Sequence, residues 1–146
     1  MRFSELLDPG SESTGRLEGI AESQRRAGRL FPEVARGHGF KLLDRTRPMA
    51  ALGSMTIIGV AAEWAVLDME LLDDLSATGR DWAREPVELI DVSGVEGSLH
   101  LEGMSPGCTR VAHTPIVIRL ESGRVVQTEA GKRARDYLRS AFLPAV

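Results

Sequence analysis

The six residues MTIIGV, 55–60, constrain the fold more than any other stretch of the chain. The run is apolar, rich in β-branched side chains and short, so it reads as a buried strand. It leads directly into AAEWAVLDMELLDDL, residues 61–75. There Leu67, Leu71, Leu72 and Leu75 recur at helical spacing, with Asp68, Asp73 and Asp74 expected on the wet side and an end near Gly79. PVELIDV, residues 86–92, is the next strand, with Pro86 at its first position, where a missing N–H costs least. PIVIRL and RVVQTE, joined by ESGR, read as a β-hairpin in which Gly123 is free to take a positive φ.

The remaining segments complete an α/β pattern. DPGSESTG, residues 8–15, is turn-forming. Leu17, Ile20, Ala21, Ala27, Leu30 and Phe31 then mark one face of an amphipathic helix, opposed by Arg25, Arg26 and Arg29, with Pro32 as its expected end. A short strand at Phe40–Leu43 and a short helix opened by Pro48 precede the central strand. Residues 93–114 have no clear period and read as a loop with a short helix. From Gly131 to Phe142 a last helix buries Ala134, Leu138, Ala141 and Phe142. At 146 residues and 42% hydrophobic content the chain can close one ordinary core and is too short for two independent domains of typical size. The expected organisation is an N-terminal helical extension, residues 1–36, followed by an α/β domain, 37–146.

Charge narrows the partners. Residues 1–48 hold nine Lys and Arg against seven Asp and Glu, residues 49–109 two against eleven, and residues 110–146 seven against three. The basic ends flank an acidic centre. Such a centre repels phosphate backbones, and the ends lack the interleaved aromatics of single-strand binders, so no nucleic-acid partner is expected. One cysteine, Cys108, cannot form an internal disulfide. No signal-peptide pattern opens the sequence and no apolar run is long enough for a membrane span, so a cytoplasmic protein without a membrane partner is expected.

Particular residues carry a resemblance. Ala62-Glu63-Trp64 is similar to the A-E-W that precedes C-G-P-C in thioredoxins, at the end of a strand corresponding to MTIIGV. Thr114-Pro115 resembles that family's X-cis-Pro. Gly123 lies eight residues after Pro115, and Gly131 eight after Gly123, matching the family's hairpin glycine and the one before its last helix. The likeness runs from about Phe40 to Leu143, about 70% of the chain. It implies a thioredoxin-like fold, with a central mixed sheet flanked by helices.

The same comparison removes the chemistry. Ala65, Val66, Leu67 and Asp68 stand where the family has C-G-P-C, so both thiols needed for disulfide exchange are missing. The family's buried Asp falls at Gly59 and its helix-kinking Pro at Asp73. What the resemblance leaves is a groove around Trp64, Ala65, Val66, Leu67, Asp68, His113, Thr114 and Pro115. A cis bond at Pro115 would leave the Thr114 backbone unpaired at a strand edge, ready to receive an extended peptide. The resemblance therefore implies a redox-inactive binding module of the chaperone, scaffold or assembly-factor class, using no cofactor.

The acidic helix face favours a basic or Arg-containing peptide or protein partner. An alternative makes Cys108 a lone redox thiol or part of a glutathione-dependent enzyme, which needs exposure and a lowered pKa. His100, Cys108 and His113 follow no zinc spacing, and no metal site is expected. A solvated acidic face is favoured over a catalytic pair among Glu63, Asp68, Glu70, Asp73 and Asp74. Residues 12–31 offer a homodimer arm as a further alternative, with packing of that helix on its own domain the preferred reading.

Overall fold

The structure is a computed structural model describing residues 1–7, 17–108 and 113–144. The turn expected at 8–15 lies outside the described residues, as does part of the connection before His113. A short 3-10 turn, Phe3–Leu7, opens the chain and α1 spans Leu17–Gly37. Then come β1 (Lys41–Leu42), β2 (Met55–Val60), α2 (Val66–Ser76), β3 (Val87–Asp91) and α3 (Val95–Met104). A hairpin of β4 (Ile116–Glu121) and β5 (Arg124–Ala130) leads to α4 (Lys132–Phe142).

The five strands form one mixed sheet in the order β1-β3-β2-β4-β5. β1, β3 and β2 run parallel, with Ile58 opposite Leu89, and β4 lies antiparallel to β2, with Ile118 opposite Ile57. All six β2 residues are buried because both faces of the sheet are covered. Alternation along the strand still sorts the side chains. Ile58 and Val60 join Val117 and Leu89 in a core with α1, α2 and α4, while Met55 and Ile57 join Ile116, Ile118 and Leu101 in a second core. The hairpin turn places Ser122 at φ 51° and Gly123 at φ 74°, as a two-residue turn with two left-handed positions requires. A Cβ on Gly123 would also come within 2.8 Å of Ala50 Cα, so glycine is needed there for space as well.

Four expectations need correction, the simplest being Ala141, which is exposed on α4 while Ala134 and Leu138 are buried. Pro32 does not end α1, which continues to Gly37: the ring removes one N–H from the helix, but Phe31 and Ala35, buried on either side, hold both halves against the core. The segment read as loop holds the ten-residue α3. Its glycines hid it, and Gly97 is required by packing, since a Cβ there would lie 2.0 Å from the Asp91 carbonyl oxygen. The wet face of α2 is also different. Asp68 is buried and Leu67 is exposed, because the first helical turn points residue 68, not 67, toward the core face shared by Leu71, Leu72 and Leu75.

The start of the chain belongs to the same core. Phe3 is fully buried, 5.9 Å from the Phe31 ring and 5.8 Å from the Phe40 ring, and stacks on His38. The Asp73 carboxylate accepts the Phe3 and Ser4 backbone N–H groups at 2.6 and 3.1 Å, fixing the 3-10 turn to α2. Phe40 stacks in turn on Trp82 at 4.8 Å, and Trp82 meets Phe142 edge-on at 5.2 Å. The Trp82 indole N–H donates to the Leu75 carbonyl at 3.2 Å, which satisfies the one polar atom of this aromatic row. Among the described residues no helix is long and apolar enough to cross a membrane.

Candidate functional site

β2 ends in a turn whose backbone is held from several directions. The Ala61 carbonyl accepts the Ala65 N–H at 2.9 Å, and the Ala62 N–H donates to Asp91 Oδ1 at 3.1 Å. Asp91 also accepts the Ser93 N–H at 3.0 Å, so one carboxylate ties the end of β2 to the segment entering α3. On this fixed base Trp64, Val66 and Leu67 are each more than half exposed. Ala65, half-buried between them, is the residue before α2 and supplies no side-chain cap. Three large apolar side chains side by side on a rigid turn form a contact patch, whereas scattered single ones would mean little.

Below the patch lies Asp68, 1% exposed. Its Oδ2 accepts the Ala61 N–H at 3.1 Å, and Oδ1 has no hydrogen-bond partner among the described residues. Burial, the largest influence, pushes its pKa above the ordinary carboxylate value. The Thr114 side chain, the Ala61 N–H and the charge of Arg135 act in the opposite sense. Asp68 thus brings the β2–α2 turn and the segment His113-Thr114-Pro115 together from beneath. The expected solvated Asp at this position is instead a buried, poorly solvated one.

The Thr114–Pro115 bond is cis. The Pro115 carbonyl accepts the Gly131 N–H at 2.9 Å, while the Thr114 backbone makes no hydrogen bond among the described residues. Thr114 is half-buried and His113 is exposed beside it, packed against Gly131. Asp68 thus links Thr114 to the turn that carries the exposed Trp64, Val66 and Leu67.

Cys108 is elsewhere, in the second core. It is buried, its thiol donates to the Leu101 carbonyl at 3.4 Å, and burial, aided by the Glu102 carboxylate, pushes its pKa up to about 11. A thiol in that state is a poor nucleophile. We expect Ellman's reagent at pH 8 to modify native protein at least about 100-fold more slowly than protein unfolded in guanidinium, read by absorbance. Among the described residues no group of three or more His, Cys, Asp and Glu side chains is placed to hold a metal.

The acidic face of α2 is also less free than the sequence implies. Asp68 is buried, Asp73 caps the first residues and Asp74 pairs with Arg139 at 3.2 Å. What the sequence did not reveal is a pocket of about 240 Å³ on the α1 side of Trp64, walled by Leu7, Ile20, Trp64 and Val66 and bordered by Glu63. It exists only because α1 docks beside the turn, and its one local signal is Gly28 inside a helix, where Ala is preferred by about 1 kcal/mol. Comparison with protein-family models, with curated proteins and with solved structures gives no match.

Proposed function

We propose that the chain is a thioredoxin-like domain without a reactive turn, serving as a binding module for an extended segment of a partner protein. The strand order, the parallel β2-α2-β3 unit, the antiparallel hairpin and the closing helix support the fold. The observation that carries the function is the exposure of Trp64, Val66 and Leu67 on a turn that Asp68 links to Thr114, whose backbone makes no hydrogen bond among the described residues. An extended peptide adds its main chain to such an edge and lays alternate side chains on the apolar patch, a mode that requires no nucleophile. The chaperone, scaffold or assembly-factor class fits a site of this kind. The lone-thiol alternative loses its support with Cys108 buried and its thiol held protonated. The homodimer arm is weakened in the same way, since Ala27, Phe31 and Ala35 of α1 are engaged in their own core.

A nuclear magnetic resonance titration with a blocked hexapeptide of alternating Val and Thr tests the reading. The amides of Thr114, Val66 and Leu67 are expected to shift together and saturate. Leu67→Asp is expected to weaken binding by about tenfold or more, the loss of one apolar contact worth about 1.5–3 kcal/mol when fully buried. Saturation that leaves all three amides unmoved sinks the proposal. So does reduction of insulin disulfides at a thioredoxin-like rate that disappears in Cys108→Ser.

A further inference from the structure

The pocket beside Trp64 combines three properties. Its walls are apolar, its rim carries the Ser23 and Gln24 side chains of α1, and it is bordered by the Glu63 carboxylate. Glu63 is half-buried and makes no hydrogen bond or ion pair among the described residues. The nearest stretch of α1 offers it no counter-charge: Arg25 and Arg29 turn to the opposite face and share Glu22, at 3.0 and 3.6 Å. Space has been left for this carboxylate as well, since a Cβ on Gly28 would come 3.1 Å from Glu63 Oε1.

An apolar slot bordered by a carboxylate that has no counter-charge among the described residues selects a side chain that is aliphatic along its length and cationic at its end. We propose that this pocket receives an arginine side chain of the bound segment. Its methylenes lie on Ile20 and Val66, its guanidinium faces the exposed Trp64 ring, and its N–H groups reach Glu63, with Ser23 and Gln24 as further acceptors. Arginine suits the site better than lysine because its planar, weakly hydrated guanidinium stacks on an aromatic face while donating to a carboxylate in its own plane. The size agrees. Pockets for drug-sized ligands run to about 300–1,000 Å³, so 240 Å³ takes one long side chain and little more. The pocket adjoins the groove through Trp64 and Val66, so the inference rests on the binding reading above and supplies its specificity.

The test compares Ac-Thr-Val-Arg-Val-Thr-NH2 with the same peptide carrying citrulline, which is uncharged and nearly isosteric, against the full chain. The arginine peptide is expected to bind at least about tenfold more tightly, shifting the Ser23 and Gln24 amides and the Trp64 indole N–H. Glu63→Gln is expected to bring the affinity of the arginine peptide down to about the citrulline level. Trp64→Leu, an independent variant, is expected to weaken the arginine peptide several-fold more than the citrulline one. Equal affinity of the two peptides, or an arginine preference that survives Glu63→Gln, overturns the proposal. If both peptides shift Thr114 and Leu67 but not Ser23 or Gln24, the pocket assignment falls and the groove stands. If no amide moves, both fall.

Discussion

Truncating Phe3 to Ala is expected to destabilise the protein by about 3–5 kcal/mol, although the residue stands third in the chain. The ring is fully buried and touches Phe31, His38 and Phe40, so its removal leaves a cavity walled by rigid aromatic groups that collapse poorly. For a chain of this size each kcal/mol moves the thermal midpoint by about 2–4 °C, so a fall of about 10 °C is expected by circular dichroism. Ser4→Ala serves as the control. Ser4 contributes its backbone N–H to Asp73 and not its hydroxyl, so the change should stay within about 0.5 kcal/mol. A loss below about 1 kcal/mol for Phe3→Ala would mean that residues 1–7 are an appendage to a core complete without them.

Asp68→Asn is expected to stabilise the protein by about 1–2 kcal/mol at neutral pH, the cost of keeping a buried carboxylate with one unmatched oxygen. Asparagine keeps the acceptor for the Ala61 N–H and presents its amide toward Thr114 without carrying charge. The pH dependence fixes the interpretation. Because the folded pKa lies above the unfolded one, near 3.9, the folded state binds the extra proton between the two values. The wild-type protein therefore loses stability as pH rises through that window, the reverse of a salt-bridged Asp. The Thr114 side chain, then the Ala61 N–H and last the charge of Arg135 on α4, limit the shift. The advantage of Asn should be small near pH 3 and grow to its full size above the folded pKa, followed by urea unfolding across pH. An advantage of constant size would show that the Asp68 pKa is the same in the folded and unfolded states.

Much of the architecture was legible because the signals were local. MTIIGV, PVELIDV and the ESGR hairpin carry their strand character in β-branched residues and turn chemistry, and all three form within one or two residues of the expected bounds. At the candidate site, the turn that follows MTIIGV and enters α2 was legible for the same reason. Failures came where tertiary contact decides. Leu67 and Asp68 are neighbours in one helical turn, and the apolar pattern assigned the leucine to the core and the aspartate to water, whereas the direction of the first turn reverses both. Phe3 precedes any periodic segment, so nothing local marks it as a core residue. The Glu63 pocket needs α1 beside the turn, and Glu63 alone reads as one more surface acid.

The aromatic row from Phe3 through Phe40 and Trp82 to Phe142 joins parts of the chain that are far apart in time as well as in sequence. At a synthesis rate of about 5–20 residues per second, the last of these rings follows the first by about 7–28 s. Throughout that interval the earlier rings lack their final neighbour, and closing the row brings together rings 37, 42 and 60 residues apart, which slows folding compared with a core built from adjacent segments. The aromatic row is therefore completed only long after its first ring has been made.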